Sequence, residues 1–139
     1  MKILTVSENS IGAQLGLQPG NKIEAIDGSR VRDIIDYRFK ISDENIVLRV
    51  RQDKAIKEYE IEKDYDDDLG LELEDFRIRK CANDCIFCFV DQNPPGMRDA
   101  LYFRDGDFRL SFLHGHYITM TNMGWKELKR VVEQRLTPL

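Results

Sequence analysis

The chain has 139 residues, of which 42% are hydrophobic and 33% charged, the balance of a folded soluble chain with room for one ordinary domain or two very small ones. A net charge of −4 excludes the basic footprint of a nucleic-acid binder. No apolar run reaches the roughly 18 residues that span a bilayer, and Ser7-Glu8-Asn9-Ser10 follows Lys2–Val6 too soon for a signal-peptide core. A cytoplasmic, reducing location is expected, with neither nucleic acid nor membrane as a partner.

Lys2 to Val6 reads as a short strand. Ser7 to Ser10 offer helix caps, and Ile11 to Leu15 can form a short helix that Gly16 ends. Pro19 and Gly20 occupy the two central positions of a type II turn. Ile23, Ala25 and Ile26 mark the next strand, and Asp27-Gly28 a tight turn. Val31, Ile34, Ile35 and Phe39 recur at helical spacing, so Arg32 to Lys40 is expected to be an amphipathic helix. Ile46, Leu48 and Val50 alternate with Val47, Arg49 and Arg51 as a strand. A turn at Gln52-Asp53-Lys54 leads to another, with Ile56, Tyr59 and Ile61 as its apolar positions.

The stretch from Ser10 to Gly28, SIGAQLGLQPGNKIEAIDG, is similar to the bacterial PDZ signature GL.PGD.I..I.G, with Asn21 where Asp is usual. The resemblance implies an α+β PDZ-like domain over residues 1–74. PDZ domains bind extended peptide ends by strand addition, holding the terminal carboxylate on backbone N–H groups. Their Gly-rich carboxylate loop does not precede the first strand here. Leu69-Gly70-Leu71 after the last one can take its place, the order of a circularly permuted PDZ domain. Leu69, Gly70 and Leu71 are then the candidate peptide-binding residues, facing the helix that contains Ile34 and Ile35. The alternative is a groove filled by the protein itself.

Asp64-Tyr65-Asp66-Asp67-Asp68 is a run of mutually repelling charge and is expected to be a solvated loop; it lacks the spacing of an EF-hand calcium site. Beyond it, Phe76 and Ile78 alternate with Arg77 and Arg79 as a short strand leading into Cys81. All three cysteines then fall within eight residues, as C-x3-C-x2-C: Cys81, Cys85 and Cys88. In a reducing compartment clustered cysteines are more often metal ligands than disulfides, and an odd number argues against simple pairing. Three thiolates leave two readings open. They suit a group with one open coordination position, or a Cys₃His zinc site completed by His114 or His116.

The cysteine spacing, with aromatic Phe87 just before the third cysteine, resembles the radical SAM superfamily. That resemblance implies a [4Fe–4S] cluster held by Cys81, Cys85 and Cys88, whose fourth iron chelates S-adenosylmethionine (SAM). The reduced cluster passes an electron to the sulfonium, and the resulting 5′-deoxyadenosyl radical abstracts hydrogen from a substrate, here unknown. Phe87 is placed against the adenine. The family's second strand usually ends in Gly-Gly-Glu, whose backbone meets the methionine amino group; only Gly115 matches in kind. Pro94-Pro95 forbids an early helix and implies a long loop. Leu101 and Phe103, the Asp105-Gly106 turn, and Phe108, Leu110 and Phe112 are expected to pair as a hairpin, with Leu110–Leu113 as its better strand. Thr121 or Asn122 caps a final helix whose apolar positions Trp125, Leu128, Val131, Val132 and Leu136 face a core, while Lys126, Lys129 and Arg130 are solvated.

The two halves together resemble a family of bacterial iron–sulfur proteins (the DUF512 type) in which a PDZ-like domain precedes a radical SAM module. Residues 75–139 then offer the first one or two βα units of an incomplete α/β barrel, a βα unit taking roughly 30 residues. On that count the isolated chain is expected to be a partial fragment without turnover. The other class of function is a non-enzymatic PDZ-like binding module with a zinc-stabilised appendage.

Overall fold

The computed structural model describes residues 1–139. It divides into two units, Met1–Phe76 and Arg77–Leu139. The first contains β1 (Ile3–Val6), α1 (Ile11–Gln14), β2 (Lys22–Ile26), β3 (Ser29–Arg30), α2 (Ile34–Lys40), β4 (Asn45–Gln52), β5 (Ala55–Glu62) and β6 (Leu71–Leu73). The second contains a 3₁₀ turn (Asp99–Tyr102), α3 (Phe108–His114) and α4 (Trp125–Glu133). The architecture is mixed α+β with small sheets, and no barrel closes.

In the first unit the period-two pattern of β4 decides the sheet. Ile46, Leu48 and Val50 turn inward and are buried, while Arg49 and Arg51 turn outward to ion-pair with Glu58 and Glu24. The antiparallel order is β3-β2-β4-β5. Asp27 and Gly28 both have positive φ, as a type I′ hairpin turn requires, and join β2 to β3. Asn21, where the PDZ signature has Asp, still accepts the Gln18 N–H through Oδ1 at 3.0 Å and closes the Pro19-Gly20 turn. Helix α2 starts at Ile34 rather than Arg32. Asp33 caps it by accepting the Asp36 N–H, and the Asp36 carboxylate in turn takes the N–H and Nε of Arg32.

A separate two-stranded ladder pairs β1 with β6, Val6 opposite Leu71 and Ile3 opposite Leu73. Leu69, Gly70 and Leu71 thus follow the other strands in sequence, in the permuted order. Leu69 is fully buried and Leu71 nearly so, both in the core with Ile3, Ile23, Ile26 and Tyr37. Gly70 has φ +70°, and a Cβ there would lie 2.3 Å from Ser10 Cβ.

In the second unit two sequence expectations change. Phe76 and Ile78 form no strand; the pairing that exists is an isolated antiparallel bridge between Lys80 and Asp105. The stretch expected to be a strand around Leu110–Leu113 is helix α3. Asp107 caps it, Gly115 ends it in the left-handed conformation (φ +70°), and Phe108 to Ser111 are buried consecutively, which no half-buried strand permits. The alternation of Phe108, Leu110 and Phe112 was too short to separate the two periods. Helix α4 is capped at Gly124, whose N–H donates to Glu127 Oε2 at 3.1 Å, rather than at Thr121 or Asn122. On it Leu136 lies just beyond the end and is buried, but Trp125 and Val132 are exposed. Arg130, expected in solvent, is buried over the ring of Phe108 and bonds Gln134. No helix is long and apolar enough to cross a membrane.

Candidate metal and cofactor centre

The cysteine loop owes its position to α3. The fully buried Asp107 carboxylate accepts the Arg109 N–H and Nε, Arg109 Nη2, and the Arg79 N–H at 2.9 Å. Burial alone would push this carboxyl up; the donors from Arg109 and Arg79 outweigh it and hold it below the ordinary carboxylate value. Arg109 Nη2 also holds the Arg77 carbonyl, and Arg79 Nη1 pairs with Glu127. So the segment entering the loop is tied to both α3 and α4.

Two backbone bonds then clamp the loop's start. Cys81 N–H donates to Arg104 O at 2.8 Å, and Gly106 N–H to Arg79 O at 3.2 Å. Gly106 sits so close that a Cβ would lie 2.7 Å from Cys81 Cα. Within the loop, Asn83 is held by two hydroxyls: its Nδ2 donates to Thr119 Oγ1 at 2.9 Å, and Thr121 Oγ1 donates to its Oδ1 at 2.7 Å. The turn at its end closes with Cys88 N–H on Cys85 O at 3.0 Å.

Cys81, Cys85 and Cys88 are free, half-buried thiols, and all three line one pocket of about 640 Å³. Phe87, Phe89, Tyr117 and Ile118 make it largely apolar; Asn83, Thr119, Arg104 and Asp105 supply its polar edge. Arg104 grips Asp91 with Nε and Nη2, and this guanidinium holds the Asp91 carboxyl below its usual value. No group of three or more His, Cys, Asp or Glu side chains is arranged to hold a metal ion. Thiolates on a cluster bind different irons and so need not converge on one ion, and three cysteines lining one roomy pocket are the donor set that such a group takes.

The other expected site residues are placed differently. Gly115 is exposed, ends α3 and lies outside the pocket's lining. His116 Nδ1 is 2.8 Å from Asp105 Oδ2, and neither it nor His114 lines the pocket. The loop at Leu69–Leu71 already uses its backbone on its own chain: Gly12 N–H donates to Leu69 O, Ser7 N–H to Gly70 O, and Gly70 N–H to Asp68 Oδ1 at 2.6 Å. Sequence reasoning missed Arg104, Asn83 and the Thr119–Thr121 pair. Nothing in their spacing marks them: Arg104 and the two threonines reach the loop only through the fold, and the part of Asn83, inside the loop, shows only once they do.

A protein-family model described as a radical SAM-like domain matches residues 63–139, more than half of the chain. The chain belongs to the radical SAM-like domain family. A PDZ domain model matches residues 2–52, so a PDZ domain precedes the radical SAM-like domain. No curated protein matches the chain.

Proposed function

We propose that Cys81, Cys85 and Cys88 hold a [4Fe–4S] cluster that binds and reductively cleaves SAM. The observation that carries this reading is the convergence of all three cysteines of a radical SAM-like chain on one pocket, with Phe87 in its wall. When bound, such a cluster supplies the electron that splits SAM into methionine and a 5′-deoxyadenosyl radical. The chain's own residues have simpler tasks. The three thiolates leave one iron free. Phe87 and Tyr117 would offer apolar faces to an adenine, and Asn83 and Thr119 polar groups at the pocket's edge to the methionine end.

Anaerobic reconstitution with iron and sulfide tests this. The expected product is brown, with about four irons and four sulfides per chain, as the cluster stoichiometry requires. A colourless protein retaining one zinc instead supports the Cys₃His alternative and sinks the cluster reading.

For the PDZ domain we propose an extended peptide or protein segment bound along β6. This strand pairs with β1 on one edge, which leaves the other for strand addition. The Gly70 N–H, the donor suited to a peptide's terminal carboxylate, carries the Asp68 carboxylate, which a ligand must displace. Titrating the chain with peptides ending in an apolar residue should shift the amide resonances of Leu71–Leu73 and Ile34. Shifts scattered elsewhere, or none, would leave the groove filled by the protein itself.

A further inference from the structure

Arg104 meets the cysteine loop at three separate points. Its backbone carbonyl accepts the Cys81 N–H. Its Nη1 donates to the Asn83 carbonyl at 3.2 Å, inside the gap between Cys81 and Cys85. Its Nε and Nη2 together hold the two oxygens of Asp91, three residues beyond Cys88. The loop's own turns lie at its far end, where Cys88 N–H bonds Cys85 O and Asp91 N–H bonds Cys88 O. The first gap depends on Arg104 and on the side-chain bonds of Asn83. Only a planar fork of donors can span these partners at once; a lysine presents a single point charge on a flexible stem.

Arg104 is also the one cation among the residues that line the pocket with the three thiols. Thiolates and the cluster they hold are anionic. A fixed positive charge beside them favours the more negative, reduced state and raises the reduction potential, while a fixed negative charge does the reverse.

We propose that Arg104 is the positioning residue of the cysteine loop, fixing the spacing of Cys81, Cys85 and Cys88 through Asn83 and Asp91 and setting the counter-charge that their cluster feels. The second half rests on the cluster reading above; the first does not.

The two halves are tested apart, on the full chain. In the chain without iron, Arg104→Gln and Arg104→Lys should both raise hydrogen–deuterium exchange across residues 81–91 by about fivefold or more, with residues 45–62 unchanged. After anaerobic reconstitution with iron and sulfide, potentiometric titration followed by electron paramagnetic resonance reads the charge. Arg104→Gln should shift the midpoint to more negative values and Asp91→Asn to more positive ones, with Arg104→Lys close to the parent. A merely structural role would not move these two variants in opposite directions. Unchanged exchange in Arg104→Gln overturns the positioning role, and unchanged or same-signed midpoint shifts overturn the counter-charge. If the parent chain takes up no cluster, the functional reading and the counter-charge both fail, while exchange still decides the role of Arg104 in the loop.

Discussion

Asp107 is a single carboxylate that organises the entry to the cysteine loop, since it caps α3 and receives donors from both Arg109 and Arg79. Asp107→Asn removes the charge that accepts the Arg109 and Arg79 donors, and should cost about 3 kcal/mol of stability in urea unfolding, read by a probe in the second unit. The sign of its pH dependence follows from the lowered carboxyl. A group whose folded value lies below its unfolded one of 3.8 contributes its stability above that value and loses it as pH falls through the folded value. The parent chain should therefore lose stability below about pH 4, and Asp107→Asn should lose correspondingly less over the same range. Equal acid slopes in the two proteins would show that the carboxylate is not what couples them. This role was not legible in the sequence. Asp105-Gly106 reads as the turn of a hairpin, and nothing in the sequence sets Asp107, one residue on, apart from it.

The elements of the first unit were largely legible because each carries its own punctuation. Pro19-Gly20, Asp27-Gly28 and the alternation in β4 dictate local geometry with little need of tertiary context. The second unit lacked such signals. Phe108-Arg109-Leu110-Ser111-Phe112 fits a period of two as well as one buried helical turn, and what selects the helix is a cap at one end and a left-handed glycine at the other. The loop between β5 and β6 gives an element-scale test. A Cβ on Gly70 meets Ser10 at 2.3 Å, and the backbone there is left-handed. Gly70→Ala should therefore destabilise the first unit by about 2–3 kcal/mol, seen as a lower urea midpoint. An unchanged midpoint would mean that the β6 approach can relax. It follows that a Gly70 variant is a poor control for peptide binding, since it disturbs the strand before it disturbs any ligand.

At the scale of the whole molecule, a PDZ domain precedes a radical SAM-like domain, and all three cysteines lie in the second. The three cysteines and Phe87 could be singled out as candidates because the resemblance to the radical SAM superfamily attaches to their type and interval. The supporting residues could not. Arg104 is sixteen positions beyond Cys88, and Thr119 and Thr121 farther still; only folding brings them to Asn83 and Asp91. The central claim is that the three thiolates hold a cluster with one iron left for SAM. Its most direct test is the electron paramagnetic resonance spectrum of the reconstituted, reduced chain before and after SAM is added. Cluster binding by these residues predicts a signal whose g values change on SAM addition, and a Cys88→Ala chain that forms no such cluster. A signal indifferent to SAM, or a full cluster in Cys88→Ala, would contradict it.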